Sequence, residues 1–368
     1  MAMDRILGHR SARGMLLLGL RGVGKTVLLN HLKGSAEDKR LHAVKLEAPE
    51  EGELAKRLGP ALKAVLYQLQ PVASAGDKAR RALSVLRNFL ATFKVSYGEI
   101  GITLEPAPGK AESGNLEQDL PDLLLAVAEA AADRHSGLVL LIDEVQYLSG
   151  EELAALIVAC HEAAQRGLPL LLVGAGLPQI AAMAGNAKSY AERLFTYPTI
   201  GPLDRTAARA ALEIPAHGEN VQYRGAALDR MVEVSHGYPY FLQEWGSEVW
   251  NIAEASPIPL AAVEMATPRV IAGLDANFFK VRFDRLTPLE QKYLRAMAEL
   301  GAGPYKTGEI AAALGVVATR VAPTRAQLIR KGMVWSQRHG ETAFTVPLFD
   351  QFMKRQMPVL ETHQPRPR

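Results

Sequence analysis

The chain has one cysteine, Cys160, in 368 residues, so no disulfide can form within it. That fits a reducing compartment, and the expected location is cytoplasmic. Cys160 itself reads as a small buried apolar residue. Aromatic residues make up only 6% of the chain. No apolar run approaches the twenty or so residues of a membrane span; Met15–Leu18 and Leu138–Ile142 are strand-sized. Met1–Arg10 lacks the apolar core and small-residue cleavage site of a secretion signal, so no membrane partner is expected. Net charge is also small, at +3.

That small charge is unevenly distributed. From Val281 to Arg368 there are fourteen Lys/Arg against seven Asp/Glu, a net of +7, which leaves −4 on the rest of the chain. A basic C-terminal third suggests an anionic partner there, or simply a solvated basic surface. Nearly half the residues are apolar (48%), enough for a sizeable core, and the length implies two or three domains.

Strand and helix signals alternate from Met15 to Leu203. Strands are expected at Met15–Leu20, Leu41–Leu46, Leu138–Asp143, Leu170–Val173 and Phe195–Ile200. Helices are expected at Gly24–Lys33 (stopped by Gly34), Leu54–Leu69, Leu120–Arg134 and Glu151–Arg166. This is the order of an α/β fold with a parallel sheet covered by helices. Between Pro71 and Gly114 the alternation Phe93, Val95, Tyr97, then Ile100, Ile102, Leu104 predicts a β-hairpin insertion. From Asp204 the pattern is helical. After Thr287 come three helical segments, Pro288–Leu300, Thr307–Leu314 and Pro323–Lys331, then two strands, Met333–Ser336 and Thr342–Val346. The expected domains are 1–203, 204–280 and 281–357, with a disordered tail over 358–368.

Two segments carry chemistry. Gly19, Leu20, Arg21, Gly22, Val23, Gly24, Lys25 and Thr26 fit G-x-x-x-x-G-K-[ST], between a predicted strand and a predicted helix that continues through Val27. Glycines let backbone N–H groups turn inward around phosphates, and the helix N-terminus favours the same anion. Lys25 is expected on the β- and γ-phosphates of ATP, and Thr26 on Mg2+. The second segment is Leu138–Glu144, an apolar strand ending in two acids. Asp143 is expected to hold the hydrated Mg2+, and Glu144 to orient and deprotonate the attacking water.

A phosphate-binding loop followed by a strand ending in Asp-Glu resembles the AAA+ superfamily and its STAND relatives. Asp143-Glu-Val-Gln146 is similar to the version in prokaryotic AAA-type ATPases of the origin-recognition kind. The resemblance implies a helical lid after the core. Gly174-Ala-Gly-Leu-Pro178 is similar to the end of the family's fourth strand, but with Gly174 and Ala175 where a polar sensor is usual. Arg193, just before the fifth predicted strand, stands where many relatives carry an arginine finger, which implies a homo-oligomer. His236-Gly-Tyr-Pro239 resembles the Gly-x-Pro segment of STAND-like lids, implying that Pro239 lies against the nucleotide. The last segment resembles a winged helix-turn-helix. In it Lys306–Gly315 forms the first helix of the motif, Arg325, Arg330 and Lys331 lie on the recognition helix, and Arg338 lies in the wing. That implies duplex DNA as a partner; a protein partner of a STAND-like switch is the other reading.

Overall fold

A computed structural model describes residues 2–8, 10–49, 53–69, 77–95, 109–301, 303–336 and 340–360. The chain divides into two compact units: Met1–Gly19 with Lys25–Ile200, and Leu20–Gly24 with Gly201–Arg368.

The first unit is a parallel sheet between helical layers. In chain order it holds α1 (Ala2–Leu7), β1 (Gly14–Gly19), α2 (Lys25–Asp38), β2 (His42–Glu47), α3 (Leu54–Gln68), α4 (Asp77–Thr92), α5 (Leu116–Ala132), β3 (Leu138–Asp143), α6 (Gly150–Arg166), β4 (Leu170–Gly176), α7 (Ile180–Ala187), α8 (Ala191–Leu194), β5 (Phe195–Thr196) and β6 (Thr199–Ile200). The strands run β2-β3-β4-β1-β5, with β6 also on β1. All pairs are parallel. Alternation along the strands explains the two faces. Leu138, Leu140 and Ile142 of β3 join one apolar cluster with α3 to α6. Val139 and Leu141 join the other, with Ile6, Leu29 and Ala36. A strand buried on both faces must be apolar throughout, which is why β3 reads as an unbroken run.

Several elements differ from the sequence expectation. Phe195–Ile200 is two short strands rather than one. Pro198 has no N–H to add to a ladder, but its carbonyl accepts Leu18 N–H at 2.9 Å, so the chain stays against β1 across the break. Gly34 does not stop α2, which runs on to Asp38 and buries Ala36. The expected hairpin is entered from an unforeseen helix: α4 carries Ala82, Leu83, Leu86, Phe89 and Leu90 at helical spacing, and Phe93 lies in the turn after it. The remainder of that hairpin, 96–108, lies outside the described residues.

The second unit contains α9 (Arg205–Gly218), α10 (Gly225–Ser235), α11 (Pro239–Ile252) and α12 (Leu260–Gly273). A π-helical stretch, Leu274–Phe279, follows and continues into α13 (Lys280–Phe283). Then come α14 (Pro288–Leu300), β7 (Tyr305–Lys306), α15 (Thr307–Ala313), α16 (Ala318–Arg330), β8 (Val334–Trp335), β9 (Glu341–Phe344) and α17 (Phe349–Gln356). The strands form an antiparallel sheet in the order β7-β9-β8. Helix α16 begins five residues before the expected Pro323, which it carries inside. An aromatic chain through Tyr240, Phe241, Phe278, Phe279, Phe349 and Phe352 runs from α11 to α17. No helix among the described residues is long and apolar enough to cross a membrane.

The turn that follows β3 is anchored by a buried carboxylate. Glu152 is 3% exposed. It accepts Ser149 N–H at 2.9 Å as half of a capping box on α6, and Leu54 N–H at 2.8 Å from the start of α3. Glu152→Ala leaves both amides without their acceptor. It is expected to cost about 2–4 kcal/mol, measured as a lowered midpoint in urea or thermal unfolding.

Candidate functional site

The loop after β1 is shaped by two glycines. Gly22 has φ 84° and Gly24 has φ 90°, the left-handed region that side chains disfavour. Helix α2 begins at Lys25, so its first N–H groups open toward the loop. Lys25 is 5% exposed, and its Nζ donates to the Gly19 carbonyl at 3.0 Å. The ammonium is therefore held at the mouth of the loop. Val27, the third residue of α2, is 66% exposed, an apolar side chain left uncovered beside the loop.

Strand β3 supplies the acids. Thr26 Oγ1 donates to Asp143 Oδ2 at 2.5 Å. The other carboxylate oxygen, Oδ1, accepts Glu144 N–H at 3.0 Å. Asp143 is 5% exposed, so these bonds, rather than water, satisfy it. The structure thus brings Lys25, Thr26, Asp143 and Glu144 to the carboxyl ends of β1 and β3. A hydroxyl and a carboxylate in contact are hard oxygen donors of the kind Mg2+ takes in pairs, alongside phosphate and water. No cluster of three His, Cys, Asp or Glu suited to a metal occurs among the described residues. The residues present therefore fit a Mg2+ shared with phosphates rather than a caged ion.

Glu144 has a left-handed backbone, φ 53°, and opens a short 3-10 turn, Val145–Tyr147. Its carboxylate accepts a hydrogen bond from Gln146 Nε2, a contact the sequence reading did not foresee.

Within the second unit, Leu20–Gly24 meets the start of α11. Tyr240 N–H donates to the Gly22 carbonyl at 3.2 Å. A Cβ on Gly22 would come within 2.9 Å of the Tyr238 ring. The Tyr238 hydroxyl is buried without a partner among the described residues, and burial raises its pKa. Arg282 of α13 was also missed. Its guanidinium stacks 3.8 Å from the Phe278 ring centre and donates to the Phe278 carbonyl at 2.6 Å. Burial, and then the charge of Arg21, lower its pKa. The Phe278 contact joins residues four apart where the π-helical stretch runs on into α13. Pro239 is the first residue of α11 and lines a cavity of about 420 Å³ with Leu203, Leu212 and Trp250. Arg193 is exposed in α8, just before β5.

The basic residues of α16 have different surroundings. Arg325 donates to Thr342 Oγ1 at 2.7 Å, and to Ser336 Oγ and the Glu341 carbonyl at 2.9 Å. Lys331 donates to Glu290 Oε2 at 2.7 Å and to the Arg285 carbonyl at 3.1 Å. Both are engaged inside the unit. Arg330 is exposed, and Arg338 lies outside the described residues.

Comparison with known proteins follows this geometry. The fold is that of P-loop NTPases. Residues 2–173 match the AAA ATPase domain family, and residues 276–353 match a domain of unknown function, DUF8462. The Walker-type ATPase PABY2304 of Pyrococcus abyssi is a similar structure, at 17% identity and TM-score 0.60, covering 96% of this chain and 94% of that one. The Thermotoga maritima RuvB Holliday junction branch migration motor aligns at 16% identity and TM-score 0.45, covering 98% and 91%. The Aeropyrum pernix ORC1 protein in complex with DNA aligns at 16% and 0.43, covering 97% and 90%. No curated protein matches the chain. The glycine loop after β1 and the acids at the end of β3 thus lie within the stretch that matches the AAA ATPase domain family.

Lys331 faces a buried carboxylate. Burial by itself would raise the Glu290 pKa, but the bonds from Lys331 and Thr287 outweigh it and hold the pKa below the usual carboxylate range. A lowered carboxylate pKa contributes stability above the unfolded value and loses it as pH falls through the folded one. Lys331→Met is therefore expected to destabilise the fold at pH 7 by about 1–3 kcal/mol once solvent screening of the lysine is allowed for, read as a lowered thermal midpoint. The deficit should shrink as the pH falls below the unfolded glutamate pKa and through the lower folded one, where Glu290 is protonated.

Proposed function

We propose that the chain binds MgATP at Gly19–Val27 and hydrolyses it, and that the state of the nucleotide is read by the second unit. The observation that carries this is the contact between Thr26 and Asp143, which puts a hydroxyl and a carboxylate together beside Lys25. Backbone amides of the loop and Lys25 Nζ hold the phosphates. Thr26 and Asp143 would hold Mg2+, which on binding would neutralise phosphate charge. Glu144 orients the attacking water and takes its proton. Val27 offers an apolar surface to the base, and Pro239 contacts the nucleotide from the lid helices. Arg193, exposed, serves as a finger toward the nucleotide of a neighbouring copy in a homo-oligomer.

The link to the second unit rests on Leu20–Gly24. These loop residues cluster with that unit, and Tyr240 N–H already holds the Gly22 carbonyl. Any shift of the loop around phosphates is felt by that bond. Residues 204–280 act as a lid, and 281–357 as a winged helix that delivers the output.

For the output, duplex DNA is the first reading, carried by the net charge of +7 from Val281 to Arg368 and by exposed Arg330. Arg338 of the wing adds to it. On this reading Arg325 and Lys331 hold the domain together, and the contact is to phosphates more than to base edges. The second reading, a STAND-like switch whose partner is a protein, is favoured by the internal bonds of Arg325 and Lys331.

Two measurements test these statements. Lys25→Ala should abolish nucleotide binding, whereas Glu144→Gln should retain MgATP and lose turnover by about 100-fold or more. Normal turnover by Glu144→Gln would sink the assignment of the base. Separately, a labelled duplex should bind at about 50 mM salt and weaken steeply with added salt. Arg330→Ala with Arg338→Ala should reduce that binding without changing ATPase activity. No binding at low salt selects the protein-partner reading.

A further inference from the structure

The end of β4 carries no polar side chain. Gly174, Ala175 and Gly176 stand where a group able to touch the phosphate-side machinery would be expected. A different residue reaches that place. The side-chain amide of Gln146, in the turn after β3, is fixed at both ends. Its Oε1 accepts Leu177 N–H at 3.1 Å, just past the end of β4. Its Nε2 donates to the Glu144 carboxylate. Because the oxygen faces a backbone N–H, the amide cannot flip, and the NH2 group must face Glu144.

The site is built for this amide. A Cβ on Gly176 would overlap Gln146 Oε1 and Ile180 Cδ1, so any side chain at 176 would push the amide out. A Cβ on Gly174 would lie 2.8 Å from Val145 Cγ2 and 2.7 Å from Leu16 Cδ2, so that glycine also lets the turn sit on the strand. The two glycines that remove the polar group from β4 are therefore what admits one from the neighbouring turn. The amide carries no charge, so the tether is a neutral donor to a carboxylate, strong enough to orient it without cancelling its charge.

We infer that Gln146 is a positioning residue for the hydrolytic step: it holds the Glu144 carboxylate in its working orientation and couples that orientation to the end of β4. This rests on the reading of Glu144 as the base. Gln146 acts through Glu144 and touches no phosphate itself.

The test separates tether from scaffold. In Gln146→Glu the side chain keeps its shape and can still accept Leu177 N–H, but it presents an oxygen, not a donor, to Glu144. Gln146→Met keeps the volume and loses both bonds. Each full-length variant is assayed at pH 8 for steady-state turnover, affinity for a fluorescent ATP analogue with Mg2+, and thermal midpoint, beside Glu144→Gln. The expected result for Gln146→Glu and Gln146→Met is turnover lower by about 10- to 100-fold, with nucleotide affinity changed by less than about threefold. A folded variant of either kind suffices. Turnover within about twofold of the natural chain in Gln146→Glu, with Glu144→Gln inactive, overturns the inference and leaves the base in place. Normal turnover in Glu144→Gln overturns both. Loss of fold and of nucleotide binding together in both Gln146 variants marks the residue as scaffold and also overturns it.

Discussion

The hydrogen bond from Thr26 to Asp143 spans a strand. Strands β1 and β3 are not neighbours, because β4 lies between them in the sheet. A donor at the start of α2 and an acceptor at the end of β3 meet only if both strands end level and β4 does not obstruct them. The register arranges this: Leu16 pairs with Gly174, and Gly174 with Ile142. The two motifs, more than a hundred residues apart in the chain, are thereby brought to one sheet edge. Parallel strands are what put both carboxyl ends, and so both motifs, on the same side. An antiparallel β3 would have sent Asp143 to the far edge, with the same sequence motif and no site.

A second constraint governs the other unit, where charges are buried in pairs. Glu290 closes the capping box of α14 and would be costly to bury alone. Lys331, at the end of α16, neutralises it. Arg325 crosses from α16 to β9 with two bonds and to Ser336, just after β8, with a third. These cations make the small helical and β segments one body, which leaves fewer of them for an external anion than the formal charge suggests. Arg282 is the opposite case: it is half-buried against the Phe278 ring and feels the like charge of Arg21. Net charge counted along a sequence cannot distinguish these three situations, because each depends on what the fold places opposite the cation.

The core of the fold was legible because its signals are local. Strand β3 was read over the residues it occupies, since only a doubly buried strand gives such a run before two acids. The glycine turn between β1 and α2 was legible for the same reason: its glycines, lysine and threonine are contiguous. Helix α4 was equally visible in its apolar spacing but lost to a competing reading of Phe93 and Val95 as strand. Gly34 illustrates the limit of propensity: the packing of Leu29 and Ala36 carries α2 past a residue that disfavours helix by only about 1 kcal/mol. What sequence could not yield were groups joined across the fold. Gln146 is visible in the Asp-Glu-Val-Gln run, but the bonds it makes depend on Leu177 and on the missing side chain of Gly176.

Backbone and side chain act together at Glu144. A left-handed backbone at a residue with a Cβ costs about 1–3 kcal/mol and persists only where its surroundings over-determine it. Here they do: Asp143 Oδ1 holds the Glu144 amide, Glu144 O accepts Tyr147 N–H at 2.9 Å, and Gln146 holds the carboxylate. The peptide that turns sharply away from β3 thus fixes where the side chain begins, and the glutamine fixes where it ends. If Glu144 is the base proposed above, a flexible side chain there would have to be ordered during each turnover, at an entropic cost that adds directly to the barrier. One held in advance by a strained turn and an amide that cannot rotate has already met that cost in folding. The bare glycines of β4 then read not as a missing sensor but as the space this arrangement requires.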